Sequence, residues 1–171
     1  KLAKEHGAVI SYDPNYRASL WTDEATAKER MRELLPYVDV MKLSDEETVL
    51  LTDKAAPEQA AKRLNDIGIF CVAVTLGKKG ALVSIAGESE VVPGYKQPAI
   101  DTTGAGDAFW GGFLYRMLSI ERRPRELSLK EAADCANWGN AVATCCVQHR
   151  GGIPAMPSLE EVKEIMREQK S

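Results

Sequence analysis

Apolar positions along the chain fall into two kinds of block that alternate from the start. Short, nearly unbroken apolar runs at Ala8–Tyr12, Val38–Leu43 and Ile69–Leu76 read as strands. The last of these is apolar at almost every position, the pattern of a strand buried on both faces. Between the runs, Lys1–Glu5 reads as the end of a helix stopped at Gly7, and Thr22–Leu35 as a helix closed by Pro36. Pro57 opens a further helix that ends at Gly68. Gly77-Lys78-Lys79-Gly80 turns the chain into a strand at Ala81–Ile85, and Gly87-Glu88-Ser89 turns it again into Glu90–Pro93. Long helices at Ala105–Ile120, Ser128–Gln148 and Ser158–Gln169 follow. Three Ser-x-x-Glu pairs, Ser44/Glu47, Ser128/Glu131 and Ser158/Glu161, are capping-box signatures at helix starts. Strands alternating with helices predict parallel crossovers and an α/β sheet. No repeat, low-complexity tract or internal linker divides the chain, so one domain is expected.

Composition narrows this picture without redirecting it. The 171 residues are 44% apolar and 27% charged, ordinary values for a globular chain able to bury a sizeable core. Net charge is −3 with Lys and Arg scattered among acids, so no basic stripe marks a nucleic-acid partner. No apolar run approaches the roughly 18 residues of a membrane span, and Lys1–His6 lacks a signal-peptide core. Cysteines at 71, 135, 145 and 146 match neither a zinc pattern nor a redox C-x-x-C. They read as buried free thiols in a reducing compartment, and His6 and His149 as structural or surface residues.

The most informative segment is Asp101-Thr102-Thr103-Gly104-Ala105-Gly106-Asp107, which runs straight into the apolar stretch Ala108–Leu118. A small-residue loop at a helix start exposes unpaired amide groups at the positive end of the helix dipole. Such a start binds anions, phosphate above all, and Asp107 stands where it could take a proton from an attacking hydroxyl. The same residues also fit a plain glycine loop with an acid favouring the helix start. Three other segments carry the same ambiguity. Thr75-Leu76-Gly77-Lys78-Lys79-Gly80 ends a strand, where α/β folds bind ligands, yet it also fits a simple hairpin turn. Asp13-Pro14-Asn15-Tyr16-Arg17 follows a strand and offers a guanidinium fork suited to phosphate or carboxylate, or a solvent loop with a surface Arg. Ser44-Asp45-Glu46-Glu47 is a capping box in its own right.

The run DTTGAGDAFWGGFL, Asp101 to Leu114, resembles the C-terminal signature of the ribokinase-like (PfkB) sugar kinases. Thr75-Leu76-Gly77-x-x-Gly80 resembles the T-L-G-x-x-G segment of the same family, in the expected order. The D-P-N-x-R loop followed by Leu20-Trp21 is similar to that of fructokinases and 2-keto-3-deoxygluconate kinases. Lys42 to Glu47 falls where the family carries N-x-x-E, with Ser44 replacing the Asn. The resemblance implies a ribokinase-like three-layer sandwich with a mostly parallel sheet. Residues 1–171 are then its C-terminal nucleotide-binding and catalytic part, with the N-terminal portion and β lid lying upstream and the fragment alone inactive. It implies an anion hole at Gly104, Ala105 and Gly106, with Asp107 as catalytic base. Thr75, Gly77, Gly80, Asn140, Arg17 and Ser44 become nucleotide or phosphate contacts. Asn140 fits equally a polar residue in the small-residue helix Ala136–Cys146. Glu47 would organise Mg²⁺ through water, and Asp101 with Gly151 would hold a monovalent cation such as K⁺.

The expected activity is ATP- and Mg²⁺-dependent phosphorylation of a sugar primary hydroxyl, fructose first and 2-keto-3-deoxygluconate second. A kinase-derived nucleotide-binding scaffold without turnover is the alternative of a different class. The expected partners are sugar and ATP, without nucleic acid or membrane, in a cytoplasmic protein compatible with a homodimer.

Overall fold

The computed structural model describes residues 1–168, so the final position of the expected helix Ser158–Gln169 lies outside the described residues. Its centre is a five-stranded sheet in the order β1 to β5: β1 Ser11–Tyr12, β2 Val40–Ser44, β3 Cys71–Thr75, β4 Gly80–Ile85 and β5 Glu88–Pro93. β1, β2 and β3 pair in parallel, and β4 and β5 return antiparallel. The parallel pairs are joined through helices, as crossovers require, whereas β3 to β4 turns on the short helical turn Gly77–Lys79.

Helices α1 (Leu2–Glu5), α2 (Glu24–Arg32), α3 (Asp45–Thr52) and α4 (Pro57–Asp66) precede the hairpin strands. After them come α5 (Ala105–Ser119), α6 (Leu129–Val147) and α7 (Leu159–Glu168). Side-chain parity along the strands sorts the core into two layers. Met41, Leu43, Val72, Val74 and Leu82 face α2, α3 and α4, meeting Met31, Leu50 and Leu64. Val40, Cys71, Ala73, Ala81 and Val83 face α5 and α6, meeting Phe109, Phe113, Cys135 and Ala136. The sheet is thus sandwiched between two helical layers, and β3 is buried on both faces as its continuous apolar run requires. α5 and α6 approach closely because Gly112 leaves room, where a Cβ would stand 2.6 Å from a methyl of Val142.

Several boundaries differ from the sequence expectation. The first strand shrinks from Ala8–Tyr12 to Ser11–Tyr12, because only those residues pair with Val40 and Met41. The helix expected over Thr22–Leu35 starts after Asp23, whose carboxylate accepts the Thr26 amide at 2.7 Å, and ends at Arg32. Pro36 lies inside a separate short turn, Leu35–Tyr37. All four cysteines are buried and free. Among the described residues, no helix is long and apolar enough to cross a membrane.

Candidate active site

The site forms where β3, the β4–β5 hairpin and the start of α5 converge with α6. Gly104 is the N-cap of α5 and makes no side-chain cap. Its φ of +78° is left-handed, and a Cβ there would stand 2.9 Å from Cα of Gly152. Only glycine suits both demands. The Ala105 amide donates to the Thr102 carbonyl at 3.2 Å, and among the described residues the Gly106 and Asp107 amides have no capping partner.

A cleft of about 290 Å³ opens against this turn, close to the lower end of small-molecule sites. It brings together Thr75, Gly77, Gly80, Ala105, Gly106 and Asn140 from segments far apart in sequence. Asn140 is buried, and its amide donates to the Val92 and Pro93 carbonyls at 3.1 and 3.2 Å. Its donors therefore pin α6 to β5, and the residue shapes the cleft wall. Ala143, Thr144 and Val147 continue that wall at helical spacing from Asn140, and Thr102, Tyr95 and Gln97 also line the cleft. Of these six only Thr102 falls inside a quoted motif, and it was assigned no role there, although the spacing of the three on α6 was readable.

Asp107 is exposed and lies on the other flank of α5, in a second groove with Gly111, Tyr115 and Met156. Helical periodicity makes this so: Ala105, Gly106 and Phe109 turn one way, and Asp107, Ala108 and Gly111 the other. The start of α5 thus stands between this cleft and a carboxylate.

Behind the turn, Asp101 accepts the Thr103 amide at 2.9 Å through Oδ1 and the Gly151 amide at 2.9 Å through Oδ2. The Gly151 amide, reinforced by Thr103, lowers its carboxyl to about 2. Cys146 reaches towards the Thr103 carbonyl, and burial, then the negative charges of Asp101 and Asp107, raise its thiol.

The remaining residues form a second group. Ser44 caps α3, accepting the Glu47 amide at 3.3 Å, while Glu47 Oε2 accepts the Ser44 amide at 2.8 Å. Glu47 Oε1 accepts the Tyr16 amide at 2.7 Å, tying α3 to the loop after β1. Neither residue lines the cleft. Arg17 is exposed, with Nη1 donating to the Tyr16 carbonyl at 2.9 Å, and it lines neither groove. Burial pushes Tyr12 up to about 12, aided by the charges of Glu47 and Asp13, so it stays protonated at neutral pH. Burial also raises the Asp13 carboxyl, partly offset by Lys42, which pairs with it at 3.0 Å. Asp13 and Lys42 sit inside quoted motifs, but nothing local to the sequence signals that they meet.

The pfkB family carbohydrate kinase pattern matches residues 1–159, and the chain belongs to that family. It is 32% identical over 162 residues to a fructokinase of Vibrio alginolyticus, covering 95% of this chain and 52% of that protein. A fructokinase from Vibrio cholerae O395, solved with fructose, ADP and potassium, superposes with a TM-score of 0.86 at 33% identity over 95% of this chain and 52% of its own. An E. coli protein assigned to ribokinase II, solved with ATP and Mg²⁺, gives a TM-score of 0.81 at 28% identity, over 98% of this chain and 51% of that one. The fold is ribokinase-like, and the chain spans about half the length of the relatives it matches.

Proposed function

We propose that the protein is an ATP-dependent sugar kinase that phosphorylates a primary hydroxyl, with fructose as its acceptor. The observation that carries this reading is the division of α5's first turn. Small residues and open amides face a nucleotide-sized cleft on one flank, and the Asp107 carboxylate stands on the other. In-line transfer needs donor and acceptor on opposite sides of the moving phosphoryl group. Asp107 takes the proton from the sugar hydroxyl as its oxygen attacks the terminal phosphorus of ATP. The bond to the leaving ADP oxygen breaks, and the amides of Gly104 to Asp107 stabilise charge on the transferring group.

The residues present suit the nucleotide and both ions. Gly77, Gly80, Ala105 and Ala143 make a flat, small-residue cleft for a base and ribose, with Thr75 and Asn140 on its walls. Each oxygen of Glu47 accepts one amide and keeps a lone pair, which fits Mg²⁺ held largely by phosphates and water. Mg²⁺, when bound, neutralises phosphate charge. Ser44, as the cap of α3, fixes Glu47. Asp101 remains ionised under its two amide bonds, and with Gly151 it suits a monovalent cation behind the turn. The fructokinase relatives support fructose as acceptor, and the buried free thiols support a reducing, cytoplasmic setting.

Arg17 favours a second acceptor. Its guanidinium is exposed and among the described residues makes one bond, to the Tyr16 carbonyl, leaving donors suited to the carboxylate of 2-keto-3-deoxygluconate. Sugar-dependent ADP release by the full-length protein, with ATP, Mg²⁺ and a panel containing both sugars, tests the reading. Fructose should give the highest kcat/KM. Preference for the keto acid would move the assignment to the second sugar, and ATP binding without turnover would leave a nucleotide-binding scaffold. Residues 1–171 by themselves should bind nucleotide and release no sugar-dependent ADP.

A further inference from the structure

The wall that α6 gives to the cleft has its hydrogen-bond donors turned away and its acceptors left over. Asn140 donates its amide protons to the Val92 and Pro93 carbonyls, at 3.1 and 3.2 Å. Those carbonyls only accept, so the amide nitrogen must face them and Oδ1 must face the other way. Among the described residues Arg32 Nε is the sole buried side-chain polar atom without a partner, so Oδ1 is not sealed in and opens to the cleft that Asn140 lines. One turn further along, Thr144 Oγ1 donates to the Asn140 carbonyl at 2.7 Å and keeps its lone pairs. Two side chains on the loop after β5 behave alike. Tyr95 Oη donates to Asn137 Oδ1 at 3.0 Å, and the Gln97 amide nitrogen turns to Glu168 Oε2 at 3.5 Å. The other polar side chains on the cleft come from elsewhere: Thr75 and Lys78 from the end of β3 and the turn after it, Thr102 from the loop before α5.

A hydroxyl that donates to the carbonyl four residues back is common inside helices, and by itself it only satisfies the side chain. At Thr144 it has a second effect, because the residue is half-buried on the wall of a cleft. With the proton placed on the helix backbone, what remains for the cleft is an acceptor. Ala99, Ala143 and Val147 line the same cleft and offer apolar surface on which a flat ring can lie. Asn140 is tied to Val92 and Pro93, which pair with Ala81 and Gly80, so it stands at the hairpin end of α6's wall. Thr144 is about 6 Å further along the helix, close to the span from a ribose to the far edge of its purine.

We propose that Thr144 is the specificity-determining residue for the nucleobase, its Oγ1 accepting a hydrogen bond from the exocyclic amine of a 6-aminopurine. Asn140 Oδ1, one turn back, receives a ribose hydroxyl. A 6-oxopurine brings an acceptor to the same place and meets lone pairs, or else forces Thr144 to give up its bond to the Asn140 carbonyl. This role rests on the phosphotransfer reading above and extends it to the base of the phosphate donor.

Calorimetric titration of the full-length protein with ATP and with ITP, which differ only at position six of the purine, tests it, alongside thermal unfolding. The unaltered protein should bind ATP about tenfold more tightly than ITP, the scale of one hydrogen bond made or opposed. Thr144→Val keeps the shape and removes the hydroxyl, so the two nucleotides should come within about threefold of each other. Thr144→Ser keeps the acceptor and should keep the preference. Thr144→Ala, the better helix former, carries the same expectation as Thr144→Val, so a folding defect in one variant leaves the other to decide. Equal binding of ATP and ITP by the unaltered protein, or a full ATP preference in the folded Thr144→Val or Thr144→Ala variant, would reduce the hydroxyl to a helix bond and overturn the inference. An unaltered protein that binds neither nucleotide would instead overturn the phosphotransfer reading, and this inference with it.

Discussion

The starts of α3 and α5 face the same problem, several amide groups without partners in the helix, and solve it in opposite ways. α3 closes on itself: Ser44 accepts the Glu47 amide and Glu47 returns a carboxylate to Ser44. α6 does the same with Ser128 and Glu131, and Ser158 with Glu161 at α7 repeats the bonds. α5 begins at Gly104 with no side-chain cap, beside a cleft. A closed start contributes stability, whereas an open one gives up that contribution and keeps its amides for a ligand. α4 also starts without a side-chain cap, at Ala56, but Pro57 there has no amide to satisfy, so the cleft beside its start is what sets α5 apart.

The largest effect should come from the carboxylate on the open start. Asp107→Asn in the full-length protein should lower kcat by roughly 10²–10⁴, the scale of general-base loss, with ATP affinity nearly unchanged. Steady-state kinetics beside direct ATP titration decides this. A near-normal kcat would remove Asp107 from proton transfer and leave the open start a binding feature only.

Next in size is Gly104→Ala, which forces a Cβ into a left-handed residue 2.9 Å from Gly152. Destabilisation of about 1–3 kcal/mol by urea unfolding is expected, with weakened nucleotide binding, since the turn itself must shift. Ser128→Ala probes the opposite kind of start. It should cost about 0.5–2 kcal/mol of stability and leave nucleotide affinity untouched. If Ser128→Ala weakened nucleotide as much as Gly104→Ala did, the distinction between closed and open starts would fail.

The smallest effect concerns the clip behind the turn. Asp101 is lowered from 3.8 to about 2, so its bonds to Thr103 and Gly151 stabilise the folded chain fully above its unfolded pKa. The contribution is lost as pH falls through about 2. Melting temperatures of the parent and Asp101→Asn should differ at neutral pH and converge near the acid end. A gap that persists unchanged into strong acid would mean that the charge of Asp101 is not what holds Gly151.

What the sequence made legible was local. The three Ser-x-x-Glu boxes and the Gly104 turn are each written within a few consecutive residues, and the structure realises the caps at Ser44, Ser128 and Ser158. The doubly buried β3 was readable because a continuous apolar run needs no partner to declare itself. The length of β1 was not, since its pairing depends on where β2 lies in register. Asn140 stood out in its helix, but its bonds to Val92 and Pro93 span the gap between α6 and β5. Lys42 is the clearest case: strand parity and the later approach of α5 together set it under Gly106. Adjacency that arises only in three dimensions leaves no periodic trace.

The buried thiols have a consequence in chemical kinetics. Cys71 on β3 and Cys135 on α6 are both fully buried on the sheet's α5–α6 face, and burial pushes each thiol up to about 12. At neutral pH they are neither ionised nor reachable, so an alkylating reagent must wait for the sheet and helix layers to separate. Cys146 is buried elsewhere, packed with Ala108 and Ala155 and beside the Thr103 carbonyl of the loop that leads into α5. The thiols therefore report on two places in one molecule: Cys71 and Cys135 on separation of the sheet from α5 and α6, and Cys146 on movement of the loop that leads into α5.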